Sequence, residues 1–122
     1  MDGVSLIAGN GVLPALFAAG AHGRGLRVCM VALEGETDPA AERLADEAAR
    51  VKVGQIGALV KALKRFGHRR VAFVGGVKKT KIFSVRPDIA AVKLFAKARD
   101  MRDDTLLRAL AAHLEGEGLY VV

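Results

Sequence analysis

Val4-Ser5-Leu6-Ile7-Ala8-Gly9-Asn10-Gly11-Val12-Leu13-Pro14 passes from an apolar run, through a glycine-bounded turn, to a proline placed for the first turn of a helix. An apolar run that breaks abruptly at Gly-Asn-Gly is the pattern of a strand buried on both faces and followed by a tight turn. Proline fits the start of a helix, where the N–H it lacks has no partner to lose. The spacing predicts a helix over residues 13–22, with Leu13, Leu16 and Phe17 as its apolar face and Gly23 and Gly25 as its stop. Val28-Cys29-Met30-Val31-Ala32-Leu33 reads as a second buried strand. Strand, helix and strand in this order form a crossover unit, in which the strands pair in parallel and the connection is right-handed.

The rest of the chain continues the alternation. Pro39 opens an alanine-rich helix over 40–47, capped by Thr37 or Asp38, and Val51-Lys52-Val53 reads as a short edge strand. Over 55–66, Ile56, Leu59, Val60, Leu63 and Phe66 recur at helical spacing, with Lys61, Lys64 and Arg65 opposite them and Gly67 as the stop. Val71-Ala72-Phe73-Val74 is a third central strand, broken at Gly75-Gly76. Pro87-Asp88 opens a helix over 89–98. Asp103 caps a last helix striped by Leu106, Leu107, Leu110 and Leu114, and Leu119-Tyr120-Val121-Val122 is a final strand. The expectation is a single α/β domain over residues 1–122, an open, mostly parallel sheet with helices on both faces, Rossmann-like. Ligands of such sheets bind at the carboxyl ends of the strands, where the strand order reverses. That singles out the turns at Gly9–Gly11, Glu34–Asp38 and Gly75–Lys79.

Composition narrows the class. With 122 residues, 52% of them apolar and 26% charged, the chain is neither a disordered tail nor a membrane-spanning protein, since no apolar run approaches the roughly 18 residues of a spanning helix. Met1-Asp2-Gly3 lacks the basic start of a signal peptide. The single cysteine, Cys29, excludes an intrachain disulfide framework or a multi-cysteine zinc site, fits a reduced cytosolic home, and reads as an inert core residue. Net charge is +6, and between Glu47 and Asp88 there is no acid. That stretch holds Arg50, Lys52, Lys61, Lys64, Arg65, Arg69, Arg70, Lys78, Lys79, Lys81 and Arg86. A surface of one sign attracts polyanions. Aromatics are 5%, too thin for stacking on nucleic-acid bases, so a phosphate-bearing ligand or an anionic membrane surface is the better match.

Gly9, Asn10 and Gly11 follow a strand and open a helix, where backbone N–H groups and the positive helix end suit a phosphate. Pro14 occupies the place of the third glycine of a dinucleotide fingerprint, and no Gly-Lys-Ser/Thr makes the turn a Walker A loop. The plain alternative is a sharp turn that needs positive φ. Glu34, Glu36 and Asp38 alternate in one loop, either as acids toward Mg²⁺ or as a solvated loop with Asp38 as a helix cap, and Glu34 also stands where a ribose-binding acid belongs. Gly75 and Gly76 leave room at a strand end, Lys78, Lys79 and Lys81 bring charge to it, and Arg86 offers a bidentate clamp; the alternative is a solvated basic loop. Lys61, Lys64 and Arg65 form a wet helix face. Asp103 and Asp104 cap the last helix or serve a site, and Arg108 is placed to pair with Asp104. His22, His68 and His113 show no ligand spacing, and no nucleophile stands with a base. By its own residues the chain reads as a binding domain, and a non-catalytic nucleotide-binding or regulatory Rossmann-like module accounts for that.

Six segments occur together and in order: Ile7-Ala8-Gly9-Asn10-Gly11 with Pro14, Ala32-Leu33-Glu34-Gly35-Glu36-Thr37-Asp38, Gly54-Gln55-Ile56-Gly57, Gly75-Gly76-Val77-Lys78, Arg86-Pro87-Asp88 and Asp103-Asp104. In this the chain resembles, over nearly its whole length, the N-terminal half of the UDP-2,3-diacylglucosamine pyrophosphatase family. The resemblance implies a hydrolase of a phosphoric anhydride bond. It would use Mg²⁺ or another divalent metal to release UMP and 2,3-diacylglucosamine 1-phosphate, in lipid A biosynthesis of Gram-negative bacteria. It implies a cytoplasmic protein peripheral to the inner membrane, and a C-terminal domain, absent from this chain, that carries the main catalytic acid. The expected contribution of these 122 residues is therefore a substrate-binding half with no substantial hydrolysis of its own. Gly9, Asn10, Gly11, Gly75, Gly76, Lys78, Lys79 and Arg86 are the candidate substrate-binding residues; no catalytic residue or metal ligand is assigned. Asp103 and Asp104 cap a helix or face the interdomain cleft. Apolar surface left for the missing domain would let the fragment self-associate.

Overall fold

The first strand, β1 (Gly3–Ala8), is buried along its whole length, as its unbroken apolar run requires. The computed structural model describes residues 2–77, 89 and 103–121, with the backbone alone over 103–107. β1 pairs in parallel with β2 (Arg27–Leu33) on one side and with β4 (Arg70–Val74) on the other. β3 (Glu47–Val51) lies outside β2, and β5 (Tyr120–Val121) outside β4, both parallel. The order is β3-β2-β1-β4-β5, the open α/β Rossmann-like arrangement that the alternation predicts.

Alternate residues of the strands feed two cores. Val4, Leu6 and Ala8 with Val28, Met30 and Ala72 face α1 (Leu13–Gly23) and α2 (Pro39–Glu42), which contribute Ala18, Ala21 and Ala41. Ile7, Cys29, Val31, Leu33, Val51 and Val71 face α3 (Ile56–Phe66) and α4 (Asp103–Gly116). From α3 come Ile56, Leu59, Val60, Leu63 and Phe66, the whole of the predicted stripe, while Lys61, Lys64 and Arg65 lie in solvent. Lys64 Nζ there meets Glu117 Oε2 at 2.8 Å, and Gly67 ends the helix with φ +80°. On α4, Leu114 is buried and Leu110 partly so, whereas the side chains of Leu106 and Leu107 lie outside the described residues. The expected helix over 89–98, apart from Ile89, also lies outside them.

Two expectations are corrected. The helix predicted over 40–47 stops at Glu42, and the edge strand is Glu47–Val51, where Val51–Val53 was the expectation. Alanine's helix preference is a fraction of a kcal/mol per residue, and pairing of 47–51 with Cys29–Leu33 outweighs it. Val53 still packs into the core, from the turn beyond the strand. The second correction concerns α1. Leu13 is 57% exposed and Leu16 63%; the helix lies on the sheet through Pro14, Ala18 and Ala21, with Phe17 at the margin. With Val12, these leucines form an exposed apolar patch at the start of α1.

At the amino edge of the sheet, Asp46 Oδ2 accepts from Val28 N at 2.8 Å and lies 2.9 Å from His22 Nε2. The Val28 N–H, and then His22, hold the Asp46 carboxyl below the usual carboxylate range. A depressed folded-state pKa stabilises the fold above the unfolded carboxylate's titration, and that contribution is lost as the pH falls through the folded one. Asp46→Asn is therefore expected to be less stable than the parent at pH 7, and to lose less between pH 7 and about pH 3, in urea unfolding at the two pH values.

Candidate functional site

The chain adds β2 and β3 on one side of β1 and then returns to place β4 on the other. The strand order thus reverses between β1 and β4, and a crevice at their carboxyl ends is where this architecture binds ligands. Gly9–Gly11 leaves β1 there, Gly75–Gly76 leaves β4, and Glu34–Asp38 leaves β2 beside them. The three singled-out turns share one edge.

The first two turns interlock. Gly9 N donates to Val74 O at 2.8 Å, Asn10 N to Gly76 O at 2.7 Å, and Gly76 N returns a longer bond of 3.4 Å to Asn10 O. A Cβ on Gly9 would stand 2.4 Å from Gly76 O and 2.7 Å from Gly76 N. A Cβ on Gly75 would stand 2.6 Å from Asn10 O, at a φ of +98°. These two glycines are small because each turn's backbone fills the other's side-chain space. Gly11 differs: its φ is +92°, but nothing lies within 4 Å of a Cβ added there. It opens onto the start of α1, where Val12 is the N-cap residue and no side chain caps the helix. First-turn N–H groups left without such a cap suit an anion.

The third turn is tied to the first through two residues whose roles the sequence did not disclose. Thr37 Oγ1 accepts from Leu33 N at 2.7 Å and donates to Ala8 O at 2.6 Å, joining the ends of β2 and β1. Asp38, not Thr37, caps α2, accepting from Ala40 N at 2.9 Å. Glu36, only 7% exposed, accepts at Oε2 from Asn10 Nδ2 at 2.6 Å. The loop acids therefore do not converge: Glu34 is exposed, Glu36 turns inward to Asn10, and Asp38 turns to its helix. Among the described residues no three His, Cys, Asp or Glu are grouped to hold a metal ion, so this loop does not fit the divalent cage that its alternating acids suggested.

Lys78, Lys79 and Arg86 lie outside the described residues. α4 ends where β5 begins, at the amino edge, so its opening residues Asp103 and Asp104 stand toward the carboxyl edge. Their side chains also lie outside the described residues. Cys29 is buried in β2, where burial pushes its thiol up, away from the nucleophilic thiolate.

The sequence profile of the LpxI N-terminal domain matches residues 3–122. This chain belongs to that family. A relative from Caulobacter vibrioides, the UDP-2,3-diacylglucosamine pyrophosphatase LpxI, is 31% identical over 124 residues, covering 99% of this chain and 44% of the relative. The chain thus spans less than half the length of the LpxI protein it matches. Among solved structures, the biotin carboxylase domain of the Hydrogenobacter thermophilus 2-oxoglutarate carboxylase superposes with a TM-score of 0.58 at 15% identity, over 99% of this chain and 22% of that one. The biotin carboxylase subunit of a pyruvate carboxylase gives 0.58 at 14% identity, over 99% and 22%. At those identities the likeness is one of fold, and it agrees with the five-stranded parallel sheet.

Proposed function

We propose that this LpxI N-terminal domain acts as one unit, the N-terminal half of a two-domain UDP-2,3-diacylglucosamine pyrophosphatase of lipid A biosynthesis, and forms the substrate-binding wall of its active site. The observation that carries this reading is the meeting of the β1 and β4 turns at the point of strand-order reversal, beside the uncapped start of α1. In the reaction, water adds to one phosphorus of the pyrophosphate, the bridging P–O bond breaks, and UMP and 2,3-diacylglucosamine 1-phosphate leave. Backbone N–H groups at Gly11 and the first turn of α1, with the cations Lys78, Lys79 and Arg86, are suited to hold the charge of that group. The catalytic acid and the divalent metal belong, in this reading, to the remainder of the longer protein. The exposed Val12, Leu13 and Leu16 border the same edge and suit packing against that remainder; without it they favour self-association. No helix among the described residues is long and apolar enough to cross a membrane. A lipid substrate and a basic surface support a cytoplasmic protein held peripherally at the inner membrane.

The test is a calorimetric titration of this chain with UDP, beside hydrolysis of UDP-2,3-diacylglucosamine by the chain and by its full-length gene product. The expected result is UDP binding by the chain and hydrolysis by the full-length protein alone. UDP binding with no hydrolysis by either would instead support a regulatory nucleotide-binding module. Replacing both Lys78 and Lys79 with alanine is expected to weaken UDP binding by roughly tenfold or more, the loss of at least one charge-assisted contact. Unchanged affinity would assign both lysines to the solvated surface.

A further inference from the structure

Glu36 and Asn10 belong to different turns, yet their side chains meet at 2.6 Å, with the amide as donor. The two ends of an asparagine amide are nearly the same in shape and opposite in hydrogen-bonding sense, and a carboxylate only accepts. Glu36 therefore selects one of the two amide orientations: the NH₂ turns toward the protein and the carbonyl oxygen away from Glu36. Oδ1 has no hydrogen-bond partner among the described residues. It lies 3.1 Å from where a Cβ on Gly76 would stand, so glycine at 76 leaves it uncovered, and Asn10 is half-buried while Gly76 is exposed.

We propose that Glu36 is a positioning residue that fixes Asn10 as an acceptor at the binding edge, so that Asn10 reads a hydrogen-bond donor on the nucleoside of the substrate and not its phosphates. A phosphate oxygen needs a donor, which this arrangement withholds, and the Glu36 carboxylate behind the amide repels negative charge. The donors that a uridine nucleotide offers are its ribose hydroxyls and the imide N–H of its base. Recognition at this edge is thereby divided, with phosphate toward Gly11 and the start of α1 and the nucleoside toward Asn10. The inference rests on the uridine-nucleotide reading above.

The test is a charge-conserving swap. Glu36→Gln lets Asn10 turn either way, and Asn10→Asp sets two carboxylates against each other. Each is expected to weaken UDP binding by roughly fivefold to tenfold relative to inorganic pyrophosphate, the scale of one lost hydrogen bond, since pyrophosphate registers only the change in charge beside its site. The double variant E36Q/N10D restores a bond of the opposite direction: the amide now at position 36 donates, the carboxylate now at position 10 accepts, and an acceptor still faces outward with the net charge unchanged. UDP affinity is expected to return to within about twofold of the parent, since a mutually compensating pair shows coupling of this kind. Binding of 2′,3′-dideoxy-UDP and of N3-methyl-UDP then tells which donor is read, because loss of that donor abolishes the effect of the swap. Equal losses for UDP and pyrophosphate, no recovery in the double variant, or neither analogue binding more weakly than UDP would overturn the proposal. A parent chain that binds pyrophosphate and not UDP would overturn the uridine-nucleotide reading and this inference together. Urea unfolding of every variant identifies loss of fold. If the single variants unfold, the Asn10 side-chain NH₂ resonances of the parent, with and without UDP, decide: protons held by Glu36 stay in place on binding, whereas a large shift would show the amide turning its donors to the ligand.

Discussion

Gly9→Ala is expected to cost about 3 kcal/mol of folding stability, in a domain whose whole margin is about 5–15 kcal/mol. The added methyl meets Gly76 O at 2.4 Å and Gly76 N at 2.7 Å, both backbone atoms with no rotamer to escape through. To admit it, the two turns must part, straining the bonds from Gly9 N to Val74 O and from Asn10 N to Gly76 O, each worth about 1 kcal/mol. Gly11→Ala is the control. It meets nothing within 4 Å and bears only the left-handed backbone penalty of about 1–2 kcal/mol. Urea unfolding of both variants checks this; equal losses would mean that the turns give way to the added methyl, and that the interlock does not require glycine at position 9. Because Asn10 follows directly, Gly9→Ala is also expected to abolish UDP binding at concentrations where the parent is saturated.

The second large effect comes from comparing two leucines that the sequence presents alike. Leu63→Ala empties a fully buried position where α3 packs on Ile7, Cys29 and Val31, and is expected to destabilise by about 2–5 kcal/mol. Leu16→Ala removes a side chain that is 63% exposed, and is expected to change stability by no more than about 0.5 kcal/mol. Thermal or urea unfolding separates them. A loss of several kcal/mol at Leu16 would restore it to the core that helical spacing suggested.

That contrast shows how far the sequence can be read. In α3 the apolar and charged residues fall on opposite sides, so periodicity alone finds the buried face. α1 is apolar nearly all round, and there the largest side chains attract attention while contact with the sheet is made by Pro14, Ala18 and Ala21, small enough to let the helix come close. Residues 45–49 are ambiguous for a related reason: alanine favours helix, but Glu47, Ala49 and Val51 also alternate with Ala48 and Arg50, and only the presence of β2 decides between the two. Of the candidate site, the glycine turns were legible because apolar runs stop at them. Their interlock was not, since it depends on β1 and β4 lying side by side. The bond from Asn10 to Glu36 was equally hidden, because nothing local marks one acid among Glu34, Glu36 and Asp38 as the one that turns inward.

The interlock also sets an order of assembly. β1 and β2, with α1 between them, can pair while the chain is short, but Asn10 gains its partner at Gly76 after α3 has been passed and β4 has entered the sheet. Contacts between distant segments form late, once the entropy of closing the intervening chain has been overcome. On a ribosome, the growing polypeptide would already carry much of its sheet while the edge proposed to hold the nucleotide is still unbuilt. That edge would be completed in a single step, with the docking of one strand.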